Sequence, residues 1–152
     1  MTEMHRPLPA EADTLALGQA LAAGLTPGMV IYLVGELGAG KTTAARGVLR
    51  GLGYQGRVKS PTFTLVEVYE DSRLYLYHFD FYRFVDPKEF NESGFREYFN
   101  PQSVCLVEWP EKAAGLPAAD LKIVLHVAGA GRNVSIFADS EAGASCLKRI
   151  QT

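Results

Sequence analysis

Two runs in the chain are apolar almost without interruption: MVIYLV at 29–34 and SVCLV at 103–107. Runs that short and that uniform suit strands covered on both faces, as in a parallel sheet. TFTLVEVYE (62–70) and RLYLYHFDFYRF (73–84) are rich in β-branched and aromatic residues and are joined by a short polar pair at 71–72, which predicts a hairpin. In the second of these runs, period two places Leu74, Leu76, His78 and Asp80 on one face and Tyr75, Tyr77, Phe79 and Phe81 on the other. LKIVLHV (121–127) and NVSIFAD (133–139), separated by the glycine-rich AGAGR, predict a second hairpin.

Other segments read as helices. PAEADTLALGQALAAGL (9–25) is alanine-rich, and Leu15, Ala16, Ala20 and Leu21 suggest an amphipathic stripe. TPG then makes a turn. KTTAARGVLRGL (41–52) predicts a helix with Gly51 and Gly53 as stops. DPKEFNESGFREYF (86–99) opens on a cap and a proline and holds a short helix, and the tail SEAGASCLKRI (140–150) reads as helical. The N-terminal MTEMHRPLPAEAD is polar and carries acids. No repeat, low-complexity tract or linker interrupts the pattern, so the expectation is one α/β domain over residues 1–152, with parallel strands and antiparallel additions.

Composition narrows the function classes. The formal charge of −2 makes no global electrostatic case for binding nucleic acid or an anionic membrane. The N-terminus lacks the apolar core of a secretory signal, and no apolar run approaches the roughly 18 residues that span a bilayer. Cys105 and Cys146 form no CxxC pair and have no histidines at zinc-ligand spacing, and Cys105 lies inside an apolar run, which fits a reducing cytosol. Lys41, Arg46, Arg50, Arg57 and Lys59 are the charged residues between Leu37 and Val66, with no acid among them. That basic third is either a solvated mixed surface or a face turned to a polyanion.

The candidate chemistry begins at Gly35. Gly35, Glu36, Leu37, Gly38, Ala39, Gly40, Lys41 and Thr42 match G-x-x-x-x-G-K-[ST] at every fixed position, with Thr43 following. A phosphate chain must lie within hydrogen-bond reach of successive backbone N–H groups, and a Cβ in the wrong place would block it. Lys41 supplies a mobile charge for the β- and γ-phosphates, and the Thr42 hydroxyl can ligate Mg²⁺. The apolar run before the loop and the helix after it are the context the motif requires. The expected fold is therefore a three-layer, P-loop NTPase-like α/β domain with a mixed, partly parallel sheet and antiparallel additions.

Such a loop needs carboxylates at the ends of neighbouring strands. Glu108 ends the uniform run at 103–107 and is assigned to Mg²⁺, directly or through water; Asp80 ends a strand that alternates and orients water or supports the metal from behind. In KSPTFT, Thr62 is either a switch-like sensor of the γ-phosphate or a strand start. Trp109 is a core aromatic or a surface anchor. His5, His78 and His126 are expected in core or surface roles rather than on a metal, and Tyr75, Tyr77, Phe79 and Phe81 in sheet packing rather than in base stacking.

GELGAGKTT, SPTFTLVEVY, HFDFYR, DPKEFNESGFREYF and LVEWPE, in that order and spacing, resemble the TsaE (YjeE) family of small bacterial ATPases. The likeness runs from EADTLALGQALA to GRNVSI, nearly the whole chain. The glycine loop is generic, whereas SPTF followed by DFYR and VEWPE is specific. The resemblance implies a cytoplasmic protein that binds ATP and Mg²⁺ and takes part in making N6-threonylcarbamoyladenosine, the modified adenosine beside the anticodon of tRNAs that read ANN codons. It implies TsaD and TsaB as partners, with ATP hydrolysis resetting their complex between turnovers, tRNA met only through that complex, and no membrane. By motif match it carries Lys41 and Thr42 over as phosphate and Mg²⁺ residues, Thr62 as the switch-like threonine, Asp80 as the Walker B-like acid and Glu108 as a metal-linked acid. Thr14 and Arg132 fall in segments similar to those that flank the nucleotide.

Rival readings are a P-loop small-molecule kinase and a nucleotide-dependent assembly factor that scarcely hydrolyses. A GTPase would carry an N-K-x-D segment, which is absent from the sequence, and a direct tRNA-binding module is disfavoured by charge. Sequence names no arginine finger; Arg83 or an arginine of a partner could serve.

Overall fold

A computed structural model describes residues 2–62, 64–70 and 74–151. The polar pair at 71–72 predicted to join the first hairpin, and Phe63 and Arg73 at its margins, lie outside the described residues. Seven strands, β1 (Glu3–Leu8), β2 (Val30–Val34), β3 (Val66–Tyr69), β4 (Tyr75–Asp80), β5 (Ser103–Glu108), β6 (Leu121–Ala128) and β7 (Gly131–Ala138), form one sheet in the order β1-β7-β6-β2-β5-β4-β3. The four strands β6, β2, β5 and β4 are mutually parallel, and β3 at one end and β7 and β1 at the other add antiparallel. Every residue of β5 is buried, as the uniform run predicts for a strand flanked on both sides and covered on both faces.

Helices α1 (Glu11–Ala22), α2 (Lys41–Gly51) and α4 (Glu141–Gln151) cover one face over an aliphatic core that includes Leu17, Leu21, Ile31, Val48, Leu106 and Ile123. The other face is covered by α3 (Glu89–Ser93) and the 3-10 turns at Phe95–Tyr98 and Pro110–Lys112, over an aromatic core of Phe79, Phe81, Phe84 and Phe90. Helix, sheet and short helix make the expected three-layer α/β architecture.

Three local expectations need correction, and one element, at the N-terminus, has no counterpart in the sequence pattern. The polar N-terminus forms strand β1, with Met4 and Leu8 buried; it pairs only with β7, and Pro7 is tolerated because an edge strand leaves N–H groups unused. The buried stripe of α1 is Thr14, Leu17, Gly18, Leu21 and Ala22, whereas Ala16 and Ala20 are exposed. Alanines all round the helix left its rotation open, and Gly18 settles it: a Cβ there would collide with the carbonyl of Ala44 and lie 2.8 Å from Val48 N on α2. The run at 62–70 is a strand only from Val66, because Leu65 adopts φ 69° and its N–H donates to Pro61 O at 2.8 Å. The run at 73–84 leaves the sheet after Asp80, where Phe84 N–H turns back onto Phe81 O at 3.0 Å.

Candidate functional site

The site lies at the carboxyl ends of the parallel strands, where loops in open α/β sheets leave a crevice. β2 delivers Gly35, and a Cβ there would lie 2.7 Å from Leu125 O, so only glycine fits between the loop and β6. Gly38 (φ +79°) and Gly40 (φ +104°) are in the left-handed region, which turns the loop back towards α2. Gly40 is the N-cap of α2 and no side chain bonds the helix's first turn, so its N–H groups are left for another acceptor. Arg132, at the β6–β7 hairpin, straps the loop from behind: its Nε donates to Ala39 O at 3.1 Å and Nη2 to Gly38 O at 2.8 Å.

Lys41 sits at the floor, 5% exposed. Its Nζ donates to Gly35 O, and to Glu36 O at 3.4 Å, and lies 3.8 Å from the ring centroid of Trp109. Burial pulls its pKa below the ordinary value, against the opposing charges of Glu108, Asp80 and Glu111. The ion pairs found among the described residues do not include it. The ammonium is held by carbonyls and a ring face, with the carboxylates acting on it from beyond ion-pair distance, and so has room for a closer anionic partner.

The two carboxylates meet because β4 and β5 pair with Asp80 directly opposite Glu108. Both oxygens of Asp80 are occupied: Tyr82 N–H donates to Oδ1 at 2.9 Å, and Thr62 Oγ1 to Oδ2 at 3.2 Å. Burial raises the Asp80 pKa, and the charge of Glu108 adds to that. Glu108 takes both of its hydrogen bonds, among the described residues, on one oxygen: Oε2 lies 2.6 Å from His78 Nε2 and 3.4 Å from Thr42 Oγ1.

These groups surround a cavity of about 530 Å³. Thr14, Leu37, Gly38, Gly40, Lys41, Thr42, Thr43, Thr62, Asp80, Glu108 and Arg132 all line it, so segments far apart in sequence converge on one cavity. Glu36 and Ala39 do not: the Glu36 side chain is outside the lining and Ala39 is buried beneath the loop. Arg83 is exposed and outside the lining. Arg46 is tied to Glu11 at 2.8 Å, and Arg50 to the carbonyls of Tyr54 and Gly56, so two members of the basic third serve local structure.

Two residues of the site escape sequence reasoning. Trp109, at φ 58°, turns its ring under Lys41 and against Tyr82, with ring centroids 4.9 Å apart. His78, fully buried, bonds Glu108 across strands. Period two put His78 beside Asp80 on one face, but nothing local shows which way the Glu108 side chain reaches. Cys105 and Cys146 are buried free thiols whose pKa values burial pushes up to about 12 and about 11, outside any reactive range. Among the described residues no helix is long and apolar enough to cross a membrane.

Fold and site together define a class: a three-layer α/β protein with a strand–glycine loop–helix site at the carboxyl edge of its parallel strands. A family model described as "Threonylcarbamoyl adenosine biosynthesis protein TsaE" matches residues 8–134. The chain is 42% identical to the "tRNA threonylcarbamoyladenosine biosynthesis protein TsaE" of Haemophilus influenzae, covering 97% of each chain. It is 47% identical to the protein of that name in Bacillus subtilis, covering 77% of this chain and 73% of the other. The crystal structure of Bacillus subtilis YdiB superposes with a TM-score of 0.82 at 34% identity, over 99% of this chain and 96% of that one. The protein belongs to the TsaE family.

Proposed function

We propose that the protein is a Mg²⁺-dependent ATPase of low intrinsic rate that serves the synthesis of threonylcarbamoyladenosine on tRNA, in the cytoplasm and in complex with TsaB and TsaD. The observation that carries the ATP reading is Lys41: a buried ammonium that joins no ion pair among the described residues, at the floor of a cradle whose turns require glycine. The role in tRNA modification rests on the relatives, whose names state it.

The residues present fit the nucleotide and the metal. The loop amides and the open first turn of α2 take the phosphates, and Lys41 exchanges its carbonyl contacts for phosphate oxygens. Arg132 and Thr14 shape the cradle's outer wall. Thr42 and Glu108 would hold Mg²⁺, which supplies charge neutralisation at the β- and γ-phosphates. Among the described residues no cluster of three or more His, Cys, Asp or Glu forms an all-protein metal cage, as suits an ion that shares its oxygens with phosphate and water. Asp80, with Thr62 hydrogen-bonded to it, orients the attacking water and links Thr62 to the γ-phosphate position. An arginine supplied by a partner would complete the charge balance, since Arg83 stands away from the cavity.

Single-turnover phosphate release tests this. The wild-type protein alone releases phosphate slowly and the TsaB–TsaD pair accelerates it. Lys41→Ala binds ATP between about 10- and 100-fold more weakly, from the loss of charged hydrogen bonds. Wild-type affinity in a folded Lys41→Ala protein would refute the site. Tight ATP binding with no release in either condition would leave a nucleotide-dependent assembly factor.

A further inference from the structure

The face of β4 that fronts the helices reads Leu76, His78, Asp80, passing from core to site. His78 stands at the boundary. Its register partner on β5 is Leu106, and Leu76 precedes it on the same face; both leucines are in the aliphatic core. The imidazole is fully buried, and its Nδ1 is the one buried side-chain nitrogen or oxygen without a hydrogen-bond partner among the described residues. Leaving a buried polar atom unsatisfied costs stability, which a leucine at the same place would avoid. What the imidazole does make is a 2.6 Å bond from Nε2 to Glu108 Oε2.

We propose that His78 is a positioning residue for Glu108. Its Nε2–H donates to Oε2, with Thr42 Oγ1 reaching the same oxygen, so the carboxylate is gripped by one oxygen and presents Oε1 as the oxygen it acts with. Glu108 differs in this from Asp80, whose two oxygens both have donors. A glutamate side chain has three rotatable bonds, and a donor on one oxygen removes most of that freedom before any ligand arrives. In the neutral imidazole, donation to a carboxylate requires the proton on Nε2, which leaves Nδ1 as the bare lone pair. The orphaned atom is thus the consequence of the grip, and the nonpolar surroundings of Leu76 and Leu106 offer Nδ1 no competing donor.

The inference rests on Glu108 being the carboxylate that answers Mg²⁺. Calorimetric titration of the whole protein with ATP, across a range of MgCl₂, measures it. His78→Leu keeps the shape and removes the donor. Its Mg²⁺ midpoint for tight ATP binding is expected to rise about 10- to 100-fold, with ATP affinity in EDTA unchanged within about twofold, as for lost support of a metal ligand. His78→Gln, whose amide can donate, is expected to recover most of the shift. An unchanged midpoint in His78→Leu, or a His78→Gln shifted as far as the leucine variant, would overturn the assignment. Loss of EDTA affinity equal to the loss in Mg²⁺ would overturn it too, by showing a structural role alone. A wild-type protein indifferent to Mg²⁺ would instead remove the metal reading itself, and the inference with it. The histidine tautomer, read by ¹⁵N NMR on the wild-type protein, decides the matter even if the leucine variant does not fold. Protonated Nε2 with bare Nδ1 is expected, and the opposite tautomer sinks the proposal.

Discussion

Asp80 shows what the site costs its own fold. Burial lifts its carboxyl above the ordinary 3.8, and the neighbouring Glu108 charge lifts it further, while the Tyr82 and Thr62 donors pull the other way. A raised acid binds its proton more tightly in the folded chain than in the unfolded one. Between 3.8 and the raised value the folded state therefore holds more protons, and stability from this group falls as pH rises through that window. Above it the ionised side chain is a standing penalty. Asp80→Asn removes the charge and keeps acceptor capacity for Tyr82 N–H. It is expected to melt at a higher temperature than wild type near neutral pH, with the gap closing as pH falls towards about 4, and to lose ATP turnover. Scanning calorimetry across pH checks the first part, and a variant less stable than wild type at neutral pH would count against it. The site's residue types were legible from the chain because the loop motif fixes Lys41 and Thr42 at adjacent positions. Trp109 and His78 were not, because their roles depend on a positive φ and on a side chain reaching across strands.

At the scale of elements, the contact of α1 with α2 aligns the cradle's outer wall. A Cβ on Gly47 would collide with Leu15 O and stand 3.0 Å from Gly18 Cα, so the two glycines let the helix backbones touch. That closeness brings Thr14 to Gly40, where an added Cβ would meet Thr14 Cγ2 at 3.6 Å. Ala in place of Gly stabilises an exposed helix interior by up to about 1 kcal/mol, so intrinsic propensity alone predicts a more stable Gly47→Ala. Overpacking predicts the reverse, a loss of about 1–3 kcal/mol. The steric clash outweighs the propensity gain, so Gly47→Ala is expected to be less stable than wild type. Urea unfolding measures it; a midpoint at or above wild type would show that the helices can part without cost. The existence of these helices was legible in the sequence. The rotation of α1 was not, since Ala16 and Ala20 look as apolar as Leu17 and Leu21 until a partner helix is in place.

For the whole molecule, a phosphate chain in the cradle should offset the buried charge of Lys41, and its Mg²⁺ that of the two acids. A non-hydrolysable ATP analogue with Mg²⁺ at about a hundred times its dissociation constant adds about 2.7 kcal/mol, or about 5–10 °C in melting temperature for a chain of this size. Differential scanning fluorimetry reads it, and Lys41→Ala should lose most of the shift at the same concentration. A full shift in that variant would place the nucleotide elsewhere. From the sequence alone come most of the strands and helices, the glycine loop and its lysine, the carboxylates and the family likeness, because each is written in neighbouring positions or in a short period. Tertiary structure alone decided that strand β1 exists, which face α1 buries, that Arg132 braces a loop 94 residues away and that His78 grips Glu108 from 30 residues away. Those outcomes depend on strand order and register, which are set by the joint burial of the whole sheet and by no local pattern.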